Sequence, residues 1–272
     1  MRASAKPVAV IPELQPKNRK SMSPNEIADL REKVALSCRI IGARHVSKGS
    51  AGHVSARIPG TDRILIKAKG PDVEALEFAT ERDVITLDME GAVVEAPPGL
   101  EAPNETAMHL AVYRHRPEVM SVIHSHPDWV VVLTACGKPL EPVLGAYDGN
   151  ASSRLLAEGL PLYRRSVTII NDRLGDDLMR TMGQARACLL LGHGMTTAGA
   201  SVEEATSISL NVYELARLNY YAYAAGGAHP VPDLEEHRRR RAEGVAVRQD
   251  RGSADREGSH WRYQRKFVES LG

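Results

Sequence analysis

The sequence predicts an α/β domain layered around a largely antiparallel sheet, and three observations carry that prediction. Short strand-like runs at 53–58, 63–68 and 84–87, with a fourth at 92–95 after a turn at Gly91, are close enough in sequence to pair through tight glycine turns. Helical patterns stand before, between and after the strand-like runs. No G-x-G-x-x-G follows a strand-like run, which argues against a parallel dinucleotide-binding sheet.

Each element has a local reason. Ser23-Pro24-Asn25-Glu26 is a capping box with proline at the first helical position, so serine and glutamate satisfy free N–H groups of the opening turn. Ile27, Leu30, Val34, Cys38 and Ile41 then recur at helical spacing until Gly42 stops the helix. Asn104 is placed to cap a helix that begins at Glu105, turns Met108 and Val112 inward and ends by Pro117. A strand at 119–123 comes next, then a helix from Pro127 through Leu133, a helix over 172–182 and a strand over 187–191. Ser201-Val202-Glu203-Glu204 is a second capping box, opening a long helix that Gly226-Gly227 ends.

Composition narrows the class. A length of 272 residues without an internal low-complexity tract reads as one domain over 23–235, with a tail at 1–22 and a helical extension at 236–272. The net charge of +1 argues against a general nucleic-acid or membrane-surface role. No apolar run reaches the roughly 18 residues that span a bilayer. Val8-Ala9-Val10-Ile11, cut off by Pro7 and Pro12, is too short for a signal-peptide core. Cys38, Cys136 and Cys188 are far apart and odd in number, which implies reduced thiols and a cytoplasmic protein. The arginine run at 238–241 reads as a solvated helix face.

The chemistry concentrates in three histidines. His124 and His126 close the run Val122-Ile123-His124-Ser125-His126-Pro127, and His193 stands in Leu191-Gly192-His193-Gly194. Alternation along a strand puts His124 and His126 on one face, about 7 Å apart, where both imidazoles reach one ion. His193, from the end of another buried strand, completes a facial set that leaves positions open for substrate, the layout of a catalytic metal site. Singly, each of the three also fits a core histidine whose nitrogens are hydrogen-bonded. Glu105 opens its helix 19 positions before His124. Alone it is a helix-start acid, and beside a cation it becomes a candidate proton carrier.

With Gly52-His53-Val54-Ser55-Ala56-Arg57, these motifs resemble those of the class II aldolase/adducin family, in the same order over roughly residues 25–230. The resemblance implies a three-layer α/β/α fold and a homotetramer with active sites at subunit interfaces. It also implies one divalent ion per subunit (zinc, manganese, iron or cobalt) on His124, His126 and His193. Sugar-phosphate aldolases of the family carry Gly-Asn where this chain has Gly52-His53, and two hydroxyl residues where it has Pro103-Asn104. Their phosphate-cradling turn is replaced by Lys67-Ala68-Lys69-Gly70. The chain is therefore similar to the family's decarboxylase branch, which acts on hydroxylated aromatic or pyridine dicarboxylates.

That branch implies a metal-assisted loss of carbon dioxide, with Glu105 or His53 protonating the ring carbon. Arg57, Lys69, Ser55 and Asn104 are then the expected substrate-binding residues, Arg57 having an ion-pair role as its alternative. Tyr147 is a further candidate against a plain turn or interface tyrosine. Trp261 and Tyr263 are candidates to close over a flat ring, against merely packing a terminal helix. A metal-dependent aldolase acting on a small carbonyl compound or sugar phosphate is the enzymatic rival, and a non-catalytic adducin-like scaffold the rival of another class.

Overall fold

The computed structural model describes residues 21–71, 73, 75–143, 155, 159–227 and 254–271. Tyr147 and the tail at 1–20 lie outside the described residues. Helix α1 (Pro24–Ala43) starts as the capping box requires: the Glu26 N–H donates to the Ser23 hydroxyl, and the Ser23 N–H to the Glu26 carboxylate. The other helices are α2 (Thr106–His115), α3 (Asp128–Ala135), α4 (Asp172–Met182), α5 (Val202–Ala224) and α6 (Ala254–Glu269). None of the described helices is long and apolar enough to cross a membrane.

Eight strands form one sheet: β1 (His53–Arg57), β2 (Arg63–Lys67), β3 (Val84–Asp88), β4 (Val93–Glu95), β5 (Ser121–Ser125), β6 (Leu162–Tyr163), β7 (Ala187–Leu190) and β8 (Gly194–Gly199). Their order is β4-β3-β2-β1-β5-β8-β7-β6, and every neighbouring pair is antiparallel except β6 with β7. Period-two alternation sorts the side chains into two cores. Val54, Ala56, Leu65, Ile123 and Met195 pack with α1, α3 and α5 on one face. Ile64, Ile66, Leu87, Val122 and Ala198 pack with α2 and α4 on the other. The result is the three-layer α/β/α arrangement with a largely antiparallel sheet.

Two local expectations need correction. Glu105, not Asn104, is the N-cap residue of α2, and the Asn104 side chain instead accepts a hydrogen bond from Lys69 Nζ at 2.7 Å. Strand β8 follows β7 through a three-residue turn, so His193 sits on a hairpin loop and not at a strand end. Strand β6 is two residues long and has no pattern of its own.

The antiparallel ladder decides where the chemistry sits. The C-terminal end of β5 lies beside the N-terminal ends of β1 and β8, with His53 directly opposite His124. Helix α2 runs back along β5, and its ten residues span about 15 Å, close to the roughly 16 Å of a five-residue strand. Its first turn, carrying Glu105, therefore arrives over the histidine end of the sheet.

Helix α6 packs on the α1 and α5 layer. Trp261 is only 9% exposed and belongs to that core, while Tyr263 is 52% exposed beneath the Arg44 guanidinium. The expectation that both close over a ring is thus corrected to packing for Trp261 and a surface position for Tyr263. Trp261→Ala is expected to lower unfolding stability by about 3 kcal/mol, and Tyr263→Ala by less than about 1 kcal/mol. Urea denaturation of the two variants checks both values.

Candidate metal centre and buried relay

Ring nitrogens and one carboxylate converge at the end of β5. His124 Nε2 lies 2.7 Å from His126 Nε2 and 3.0 Å from Glu105 Oε2, and His193 Nε2 lies 3.6 Å from the same oxygen. The ligand atoms of these four residues all fall within 4.8 Å of one another. Two glycines make the convergence possible. A Cβ on Gly194 would meet the Ser125 carbonyl oxygen at 2.2 Å, and one on Gly52, whose φ is +91°, would meet the His124 carbonyl oxygen at 2.8 Å.

Hydrogen-bond accounting tests whether a cation fits. The Met195 carbonyl only accepts, so at 3.0 Å it takes a proton from His124 Nδ1. In a neutral ring that leaves a lone pair on His124 Nε2, facing another imidazole nitrogen and a carboxylate oxygen. A bound proton or a metal ion among these atoms would relieve their mutual repulsion. Neutral imidazoles oriented by a carbonyl partner suit a divalent ion, and the donor set fits.

The electrostatics agree. Burial drives the His126 ring down to about 4, with His124 and His193 adding to the effect. Burial alone would push the Glu105 carboxyl up. The His124 and His193 imidazoles beside it and the hydrogen bond from the Ile169 N–H outweigh it and hold the group well below the usual carboxylate range. Glu105 is thus ionised, with Oε1 oriented by the backbone and Oε2 turned to the histidines.

Behind the centre runs a buried polar chain. His53 Nδ1 lies 2.8 Å from His109 Nε2, and Ser55 Oγ lies 2.7 Å from His109 Nδ1 and 2.8 Å from the Tyr113 hydroxyl. His109 and Ser55 are fully buried. Burial pushes the Tyr113 hydroxyl up and lowers His53 well below its ordinary value, helped for His53 by His109 and His124. His109 and Tyr113 were not singled out in the sequence. Their signal is two polar groups at i and i+4 on the otherwise apolar inner face of α2.

The remaining candidates separate. Lys69 and Asn104 are bonded to each other one residue from Glu105, beside an open cleft of about 660 Å³ lined by Pro103, Asn104, Thr106, Ile170 and Asn171. Ser55 is corrected from substrate contact to the buried chain. Arg57 is corrected as well: its Nη2 donates to the Tyr113 carbonyl at 2.6 Å and its guanidinium covers the Tyr113 ring. It shares the His53 face of β1 but stands four residues, about 13 Å, down the strand.

A pH prediction follows from His109, which burial and the neighbouring His124 hold at about 3 against an ordinary 6.5. The unfolded chain takes up this proton below about pH 6.5, and the folded chain only near pH 3. The stability from a neutral His109 is therefore complete above 6.5 and lost as pH falls, by about 1.4 kcal/mol per pH unit. Denaturant unfolding of metal-free protein between pH 6.5 and 4 should show a shallower slope for His109→Gln by that amount.

Known proteins are similar to this chain in sequence or in fold. The 3,4-dihydroxyphthalate decarboxylase of Terrabacter sp. (strain DBF63) is 39% identical over 237 residues, covering 86% of this chain and 95% of the relative. The enzyme of the same name from Arthrobacter keyseri is 37% identical over 217 residues, covering 78% and 87%. A solved aldolase II superfamily protein from Pseudomonas syringae shares the fold with a TM-score of 0.74, at 21% identity over 92% of this chain and 96% of that one. The family model of the Class II Aldolase and Adducin N-terminal domain matches residues 32–220, the span that holds the whole cluster and the relay. By this match and these relatives, the chain belongs to the class II aldolase and adducin family, in its decarboxylase branch.

Proposed function

We propose that this lyase removes carbon dioxide from a hydroxylated aromatic or heteroaromatic dicarboxylate, with a divalent ion held by His124, His126 and His193. The observation that carries the reading is the meeting of the Glu105 carboxylate with three imidazoles whose ligand atoms lie within 4.8 Å of one another. The dihydroxyphthalate decarboxylases named above supply the substrate class. A bound divalent ion supplies the positive charge that draws off the electron pair released by the breaking bond. Zinc, manganese, iron and cobalt all suit such a site.

The chain's own groups move the proton. Glu105 accepts the proton of the substrate hydroxyl that neighbours the departing carboxylate. The bond between the ring and that carboxylate breaks, carbon dioxide leaves, and the electron pair stays with the ring. Glu105 then returns its proton to the ring carbon, so the carboxylate is regenerated at each turnover. In this reading Lys69, which Asn104 and Glu101 both engage, takes the second carboxylate, a role that Arg57 does not share. His53 bounds the site on the β1 side, its ring 5.3 Å from that of His124. A homotetramer with interfacial sites belongs to this reading. So does a reducing cytoplasm, which suits the three free cysteines.

Purified protein is expected to bind about one divalent ion per subunit, and His126→Ala to lose most of it, as elemental analysis would show. Full occupancy in that variant would remove the ligand assignment. Glu105→Gln should keep the metal and lose about 10²–10⁴-fold in rate. Loss of metal from it would make Glu105 a ligand instead. The reaction itself is tested by assaying carbon dioxide release from hydroxy-dicarboxylates alongside aldehyde release from sugar phosphates. Aldehyde release without carbon dioxide would replace the decarboxylase with an aldolase, and neither product, in a protein that binds no metal, would leave the scaffold.

A further inference from the structure

The buried chain behind the metal centre has a direction. Ser55 has one proton and three possible acceptors: His109 Nδ1 at 2.7 Å, the Tyr113 oxygen at 2.8 Å and the Val122 carbonyl at 3.3 Å. The buried Tyr113 hydroxyl has the Ser55 oxygen as its side-chain partner and donates there, which leaves Ser55 to give its own proton to the nearer remaining acceptor, His109 Nδ1, ahead of the Val122 carbonyl. Ser55 therefore donates to His109 Nδ1, and Tyr113 donates to Ser55. A neutral His109 then carries its only proton on Nε2 and gives it to His53 Nδ1 at 2.8 Å. Each link leaves the next group one choice. The last link leaves the His53 proton on Nε2, at the ring edge turned away from His109.

We propose that Tyr113, Ser55 and His109 are positioning residues that lock His53 in its Nε2–H tautomer, so that His53 presents a fixed hydrogen-bond donor to an oxygen of the bound substrate. The far end of the relay is closed. Tyr113 is 1% exposed and His109 and Ser55 are 0% exposed, so the far end of the chain carries no surface group with which to exchange a proton. The relay therefore conducts no net proton; it sets orientation and tautomer. Such control resembles the way partners of metal-bound histidines fix which nitrogen is free, applied here to a histidine facing the substrate. The substrate oxygen in this inference rests on the carboxy-lyase reading, whereas the tautomer does not.

The test is long-range ¹H–¹⁵N correlation of the histidine side chains at neutral pH, with and without added zinc, His53 being assigned from a His53→Gln spectrum. The expected result is a protonated Nε2 and an unprotonated Nδ1 on His53. A protonated Nδ1, or a rapidly averaged mixture, overturns the proposal. In Tyr113→Phe and His109→Leu the two tautomers of His53 should mix, and kcat/KM for carbon dioxide release should fall about 10–100-fold with metal content retained. His109→Gln, whose amide still offers an N–H to His53 Nδ1, should recover most of that loss. An equal loss in His109→Gln and His109→Leu would reduce His109 to packing and overturn the positioning role. Should His109→Leu not fold, the wild-type tautomer and Tyr113→Phe decide the question. If no substrate yields carbon dioxide, the spectra still decide the relay, so the two readings fail separately.

Discussion

The close antiparallel approach of β1, β5 and β8 is the constraint on which the site depends. Strands in register place His53 opposite His124 and bring the β7–β8 turn, with His193, against the end of β5. At that end the chain runs so close to itself that Gly194 has no room for a side chain beside the Ser125 carbonyl, and Gly52 none beside the His124 carbonyl. A methyl group at either position would push apart the strands that hold the histidines. The glycines flanking the histidine motifs thus set the geometry of the centre without contributing a ligand atom.

That geometry is bought with unfavourable burial. His53, His109, His124 and Glu105 are all buried, and solvation alone would favour moving them to the surface. Two devices offset the cost. Hydrogen bonds give nearly every nitrogen of the relay a partner, so the imidazoles stay neutral instead of being buried as cations. The ligand atoms of Glu105, His124, His126 and His193 gather around a single point, where a divalent ion would draw them into coordination. A metal bound there would add to fold stability through these four residues.

The sequence spoke clearly wherever one residue type has one physical use. Ser23 and Ser201 announced their helices because capping geometry is local, and the paired histidines announced the centre because apolar strand frames rarely carry them. Strand β8 was silent: Gly-Met-Thr-Thr-Ala-Gly has no aliphatic alternation, and only pairing with β5 and β7 makes it a strand. Arg57 misled because it is near the motif in sequence and on the right face of β1, yet a strand carries it about 3.3 Å farther from His53 with each residue. Asn104 looked like the cap by residue preference, but Lys69 takes its side-chain oxygen. The relay was invisible for a different reason: Ser55 and His109 belong to separate elements, and only the packing of α2 on β1 joins them.

The same packing separates the two groups that sequence alone left as rival proton donors. Glu105 is ionised, has one oxygen anchored by the Ile169 N–H and turns the other to the histidines, so in the proposed reading it accepts a proton at that second oxygen without giving up its anchor. The Nδ1 of His53 is already engaged by His109, and burial opposes a second proton on the ring. Giving up its Nε2 proton would create either an imidazolate or, by shifts along the relay, a buried tyrosinate at Tyr113, whose hydroxyl burial already pushes up. Both are costly charges in a closed, buried chain. In the decarboxylase reading proposed above, proton transfer therefore falls to Glu105, and His53 is left to hold an oxygen in place while the proton moves.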